Sequence, residues 1–257
     1  MNFPGKVILI TGASSGIGKE IALQLSKEKC SLALLARRID LLNELAEQLK
    51  SNAAKIEILK CDVADPGEVK LIVTEIKNRF GKIDAAILNA GVGHRAGAKE
   101  YSAASSKKVF DTNVLGITNF VENILPDFIE RQSGVIVGVT SLSDSRGWPG
   151  SGFYSASKIA ATRLLESLRI DVKQYNIKVI TVKPGFVRTA MTAKNNFPMP
   201  FLMDAAKAAK IILKGIKKEK RIIQFPFLTA LGSRVIGIMP DFLFRYYASK
   251  WSEKHMS

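Results

Sequence analysis

Cysteine is scarce: Cys30 and Cys61 are the only two in 257 residues. Two cysteines cannot staple a disulfide scaffold or build a Cys-rich metal site, so no metal is expected. Their scarcity also suggests a reducing, cytoplasmic setting. Long apolar runs are missing too. Val7–Ile10 is too short for a signal sequence and leads straight into glycines. The nearest approach to a membrane span, Ile222–Phe244, is broken by Gln224, Pro226, Arg234, Pro240 and Asp241. The chain shows no internal repeat and no low-complexity linker. Acidic residues are in deficit: 23 Asp and Glu against 38 Lys and Arg leave a net charge of +15. That surplus invites a nucleic-acid or anionic-membrane partner. No nucleic-acid recognition motif accompanies it, so nucleic acid is not expected.

What is present is a globular composition, with 47% hydrophobic and 24% charged residues. The length suits one α/β domain spanning 1–257. Short apolar runs read as strands at Val7–Thr11, Ser31–Ala36, Ile56–Cys61, Ala85–Asn89, Val135–Thr140, Lys178–Val182 and Arg221–Phe225. Helical periods fill the gaps: Gly18–Glu28, Leu41–Ser51, Gly67–Phe80, Ser106–Arg131, Ser155–Tyr175 and Ala205–Lys218. This alternation predicts a three-layer, doubly wound α/β fold, a parallel sheet covered by helices on both faces. Residues 186–203 lack a clear period, carry Pro198 and Pro200, and read as a substrate loop. Beyond Phe225 an apolar, basic extension runs from 226 to 257. Residues 204–257 hold eleven Lys and Arg against four Asp and Glu. Three roles compete for the extension: covering a pocket, forming a subunit interface, or lying on an anionic membrane.

The first strand ends in Thr11-Gly12-Ala13-Ser14-Ser15-Gly16-Ile17-Gly18 and a helix follows. Glycines permit a tight turn and close backbone approach to a pyrophosphate, which the free N–H groups of a helix N-terminus can bind. At the end of the second strand a dinucleotide site for NAD carries an acid for the ribose hydroxyl. Here stand Arg37 and Arg38 instead. Guanidinium pairs with a 2′-phosphate where carboxylate would repel it, so NADP(H) is preferred over NAD(H). Arg37 is the first candidate and Arg38 the next, with Ser14 and Ser15 as further donors.

Tyr154 and Lys158 share one helix face at i, i+4 spacing. A free phenol, with pKa about 10, is a poor acid or base at neutral pH. A neighbouring ammonium stabilises the phenolate and is expected to lower that value. The pair suits proton transfer to or from an alcohol or carbonyl. Ser141 follows the strand Val135–Thr140, beyond whose carboxyl end a ligand is expected. Its hydroxyl can polarise a carbonyl, with Ser143 and Ser145 as alternatives.

Together with Asp62-Val63, Asn89-Ala90-Gly91, Asn113 and Pro184-Gly185, these motifs resemble the short-chain dehydrogenase/reductase family from residue 6 to about 190. The resemblance implies a seven-stranded Rossmann-like sheet and a nicotinamide cofactor. It makes Tyr154 the catalytic acid–base, Lys158 the ribose ligand, Ser141 the carbonyl-positioning group and Asn113 part of a water-linked proton relay. It also implies Asp62 and Val63 at the adenine, Asn89 and Gly91 along the groove, and Val187 and Thr189 at the carboxamide. Ala90, Pro184 and Gly185 complete the cofactor set.

A substrate lining of Leu142, Trp148, Phe153, Phe186 and Met191, with Phe197, Met199, Phe201 and Met203 nearby, is apolar. It fits a hydrophobic carbonyl or alcohol. His94 reads more simply as an exposed loop residue than as a pocket group. The expected activity is NADPH-dependent carbonyl reduction by a homodimer or homotetramer. The alternatives are an NAD-dependent alcohol dehydrogenase, and a non-catalytic dinucleotide sensor or membrane-associated protein, which would need no tyrosine.

Overall fold

Seven short runs of branched aliphatic residues lie side by side in the computed structural model, which describes residues 1–50 and 53–255. They are β1 (Val7–Thr11), β2 (Ser31–Ala36), β3 (Lys55–Lys60), β4 (Ala85–Leu88), β5 (Gly134–Val139), β6 (Ile177–Pro184) and, last in the chain, Ile222–Phe225. Between these last two, β7 (Val187–Arg188) and β8 (Met203–Asp204) pair as a separate two-stranded ribbon, so Ile222–Phe225 is β9. The main sheet has the order β3-β2-β1-β4-β5-β6-β9, and each of its pairs is parallel. The central strands are buried on both faces, which is why they read as continuous apolar runs rather than alternating ones.

Helices cover both faces. On one side lie α1 (Gly16–Leu25), α2 (Ile39–Leu49) and α7 (Ala205–Lys217). They bury Ile21, Leu25, Leu42, Leu45, Ile212 and Ile216 against Ile8, Ile10, Leu32 and Leu34. On the other lie α3 (Pro66–Phe80), α5 (Gly116–Glu130) and α6 (Gly152–Asp171), with Ile72, Ile76, Phe120, Phe128 and Leu165 packed on Leu9, Ala86 and Ile136. α4 (Ala103–Phe110) precedes α5, and a single π-helical turn, Asp111–Leu115, joins them. One uninterrupted helix over Ser106–Arg131 is therefore replaced by two helices and a wider turn. Buried positions continue across the joint at Val109, Thr112, Asn113, Gly116, Ile117 and Phe120, so periodicity alone does not reveal it.

The extension past Phe225 folds into α8 (Phe227–Ile238) and α9 (Asp241–His255). The basic stretch divides here. Lys207, Lys210, Lys214, Lys217, Lys218, Lys220 and Arg221 lie on α7 and the turn into β9. α8 and α9 carry Arg234, Arg245, Lys250 and Lys254. No described helix is long and apolar enough to cross a membrane.

Candidate active site

β1 and β4 mark the place where the strand order reverses, and the loops after them form a crevice beyond the strands' carboxyl ends. Gly12 and Gly16 turn the chain there with φ of +66° and +57°, values an L side chain rarely adopts. A Cβ at Gly12 would sit 2.9 Å from the Ala90 Cα, and one at Gly18 would sit 2.4 Å from the Gly12 carbonyl oxygen. The loop is tied to β4 from beneath. The backbone N–H groups of Asn89 and Ala90 both donate to Thr11 Oγ1 at 3.0 Å, and Asn89 Nδ2 donates to the carbonyls of Thr11 (3.1 Å) and Gly12 (3.3 Å). Asn89 thus braces the glycine turn, and Thr11 shares that task, which sequence reasoning did not assign to it. α1 starts at Gly16 with no acidic residue in its first turn and no side chain capping it from Ser15. Its first N–H groups and positive dipole end face the crevice, and Ile17 stands half-buried there.

Arg38, rather than Arg37, reaches this loop. Its Nη2 donates to Ser14 Oγ at 3.0 Å and to Ser15 Oγ at 2.7 Å. Arg37 turns outward to Asp62, with 3.6 Å between Nη1 and Oδ2. Both side chains are exposed; adjacent residues at a strand end point to opposite sides, and Arg38 takes the side of the glycine loop as α2 begins. Asp62 remains beside the crevice and accepts the Ala64 N–H at 3.1 Å. Val63 turns its side chain into the core against Gly116, and its carbonyl accepts from Asn119 Nδ2. Asp65 caps α3 by accepting the Glu68 N–H.

α6 begins at Gly152, three residues earlier than the periodicity suggests, so both Tyr154 and Lys158 are helical. Tyr154 hydrogen-bonds to Ser141. Ser141 opens a short turn in which its Oγ also accepts the Ser143 N–H at 3.1 Å. Ser145 is used differently, donating to the Leu142 carbonyl. Burial pushes the Tyr154 phenol up; the Ser141 hydrogen bond pulls it down, and the negative charge of Asp144 pushes it up further. The expectation of a phenol lowered by Lys158 is therefore not met by the protein's own groups. Lys158 is itself buried, donates to the Val139 carbonyl at 3.1 Å, and is pushed down to about 8 by that burial. The cost of charging a buried group dominates both members of the pair.

Asn113 sits fully buried in the π turn. Its Oδ1 accepts the Val92 N–H at 2.8 Å; its Nδ2 donates to the Val92 carbonyl and to Ser157 Oγ, both at 3.0 Å. It thus ties the strand-end loop to α6. Gly91 leaves room at this junction: a Cβ there would lie 3.2 Å from Asn113 Oδ1 and 3.3 Å from Lys158 Nζ. On the far side, Thr189 stands over Gly16, where an added Cβ would come within 2.9 Å of its methyl. Val187 buries its side chain in the core and offers its carbonyl to Thr192. Pro184 ends β6, and the Gly185 N–H donates to the Phe225 carbonyl.

The apolar residues form two aromatic groups. Phe153 lies between His94 and Tyr101. Phe186 meets Phe197 edge-on, and Phe197 meets Trp251 of α9. Trp148 is held between Phe244 and Trp251, and the Arg95 guanidinium lies 4.5 Å above the Phe197 ring. The extension thus caps the loop 186–203, which the β7–β8 pairing anchors at both ends. Leu142 is buried, Met191 packs on Gly93, and Phe201 is 56% exposed. His94 is half-buried rather than an exposed loop residue.

One buried group escaped sequence reasoning. Asp144 Oδ2 accepts from Thr162 Oγ1 at 2.7 Å and pairs with Lys183 at 2.9 Å, while its Oδ1 has no partner. Thr162, four residues beyond Lys158, shares its helix face, and that spacing is the signal available in the sequence.

The residues present fit a dinucleotide. The glycines leave a cradle that a Cβ would fill, a helix N-terminus faces it, and a guanidinium stands at its far end. The sequence profile described as short chain dehydrogenase matches residues 6–199. An uncharacterized oxidoreductase of Myxococcus xanthus is 34% identical over 239 residues, 93% of this chain and 94% of that protein. Dehydrogenase/reductase SDR family member 7B of Bos taurus is 30% identical over 271 residues, 98% of this chain and 83% of its own. A Burkholderia phymatum short-chain dehydrogenase/reductase solved with NAD superposes with a TM-score of 0.85 at 24% identity, covering 91% of this chain and 94% of that one. A Sphingobium yanoikuyae short-chain dehydrogenase solved with NADPH gives 0.80 at 23% identity, covering 92% and 97%. The profile match over residues 6–199 and the extent of the match to the Myxococcus xanthus oxidoreductase place this NAD(P)-dependent oxidoreductase in the short-chain dehydrogenase/reductase family.

Proposed function

We propose that this protein is an NADP(H)-preferring carbonyl reductase for hydrophobic substrates, folded as one domain with 186–203 as substrate loop and 226–257 as its cover. The observation that carries the reading is the half-buried Tyr154 hydroxyl near the start of α6, hydrogen-bonded to Ser141. Reduction needs an acid at that position. Ser141 orients the substrate carbonyl and stabilises charge developing on its oxygen. Tyr154 then gives that oxygen its proton. Lys158 holds the ribose and offers a charge to the resulting phenolate, while Asn113 fixes the loop and α6 against one another. Bound nicotinamide supplies the hydride. Gly12, Ser14, Ser15, Gly16, Ile17 and Gly18 hold the pyrophosphate, with Asp62, Val63, Asn89, Ala90, Gly91, Pro184, Gly185, Val187 and Thr189 along the groove. Arg38, supported by Arg37, takes the 2′-phosphate.

Leu142, Trp148, Phe153, Phe186 and Met191 supply an apolar lining that excludes water from the reacting carbonyl. The working unit is proposed to be a homodimer or homotetramer. The test is oxidation of NADPH with a panel of ketones of increasing apolar length. Turnover should rise with length and fall by about 10²-fold or more in Tyr154→Phe, with nucleotide affinity retained. Full activity in Tyr154→Phe would overturn the mechanism.

A further inference from the structure

The outer faces of the two C-terminal helices are apolar and uncovered. In α8 the exposed side chains are Phe227 (77%), Leu228, Leu231, Val235 and Ile238 (85%). At about 100° per residue these positions fall within one stripe about 100° wide. The inner side of the helix is engaged: Ala230 is buried, Ser233 Oγ donates to the Leu142 carbonyl at 2.8 Å, and Gly237 lies against Ser145. α9 repeats the pattern. Phe244 and Ala248 are buried inward and Trp251 meets Trp148 and Phe197, while Phe242, Leu243, Tyr246 and Tyr247 face outward. Arg146 fastens the junction by donating to the Met239 carbonyl and to Asp241.

We propose that this outer face is a docking surface for an anionic lipid bilayer, on which α8 and α9 lie flat. Contiguous exposed apolar side chains in a soluble fold mark a surface that meets something apolar. Charge selects the partner. The only acids on these helices are Asp241 and Glu253, and Asp241 is already paired with Arg146 (3.2 Å) and Arg245 (3.1 Å). Arg234, Lys250 and Lys254 remain as a surplus on a protein of net charge +15. A second copy would bring a face with the same positive surplus against this one. Phospholipid headgroups complement them, and the apolar stripe enters the acyl boundary. Lys250 Nζ donates to the Tyr246 hydroxyl at 2.6 Å and lies 4.4 Å above its ring. Such a pair suits the headgroup level, with the apolar ring body below and the charge above.

The full chain would be sedimented with vesicles of phosphatidylcholine alone and of phosphatidylcholine with phosphatidylglycerol, at low and high salt. Binding should require phosphatidylglycerol and weaken with salt. The double variant Phe227→Asp, Ile238→Asp should bind at least about tenfold less, with an unchanged circular dichroism spectrum and melting temperature. Absence of binding to the anionic vesicles, or equal binding by the double variant, would overturn the proposal. So would light scattering that shows a dimer split by the same two substitutions, since the face would then be an interface between copies.

Discussion

Arg38→Ala isolates the choice of nucleotide. The guanidinium is held between two hydroxyls at 3.0 and 2.7 Å, already aimed over the glycine loop. A hydrogen bond to a charged group contributes about 1.5–3 kcal/mol, and an arginine grips phosphate through two. Exposure on the Ser15 side moves the total towards the lower end. A loss of about 2–3 kcal/mol follows, or about 30–150-fold in affinity for NADPH. NADH lacks the phosphate and should change by less than about threefold, its remaining loss reflecting a looser loop. Arg37→Ala, which removes a solvent-exposed pair with Asp62, should cost NADPH less than about fivefold. Equilibrium fluorescence titration of each variant with both nucleotides separates these outcomes. Equal weakening of both nucleotides by Arg38→Ala would refute the assignment and make Arg38 a brace for Ser14 and Ser15. Selective loss in Arg37→Ala instead would move the phosphate to Arg37.

Asp144→Asn removes a charge that pushes the Tyr154 phenol up. Reduction needs the protonated phenol and is lost as pH rises through its value, so the alkaline fall in turnover should move to lower pH; an unmoved profile would refute the link. Lys158 titrates from 10.5 down to about 8 when buried, so the unfolded chain holds more protons between those values and stability rises with pH across that window. Below it the burial cost stands, about 2–4 kcal/mol, and Lys158→Met should raise the melting temperature at pH 7 while the gain shrinks towards pH 10. A gain independent of pH would contradict this account. Gly18→Ala places a methyl 2.4 Å from the Gly12 oxygen and should weaken both nucleotides by more than about tenfold in the same titration.

The sheet was legible in the sequence because buried parallel strands are short apolar runs, and the intervening helices follow a 3.6-residue period. Tyr154 and Lys158 could be paired because a helix places i and i+4 on one face. The unread parts depend on longer-range geometry. Which of Arg37 and Arg38 faces the glycine loop is set by how α2 departs from β2. The π turn at Asn113 leaves the run of buried positions intact. The raised phenol reflects burial by segments far apart in the chain, and the cover of Trp251 over Phe197 joins residues that no local pattern connects. The basic residues of 204–257, read as belonging to the tail, lie mostly on α7 and the turn into β9.

The strand order has a consequence for how the molecule is made. β1 lies near the centre, and each later main-sheet strand joins an outer edge: β2 and β3 on one side, then β4, β5, β6 and β9 on the other. No strand has to be threaded between two that are already paired. As the polypeptide leaves the ribosome, every newcomer meets a finished template, and the segment through Gly91 can build the glycine cradle before Ser141 and Tyr154 have been synthesised. Nucleotide binding on that segment would then steady the edge on which the chemistry is later assembled.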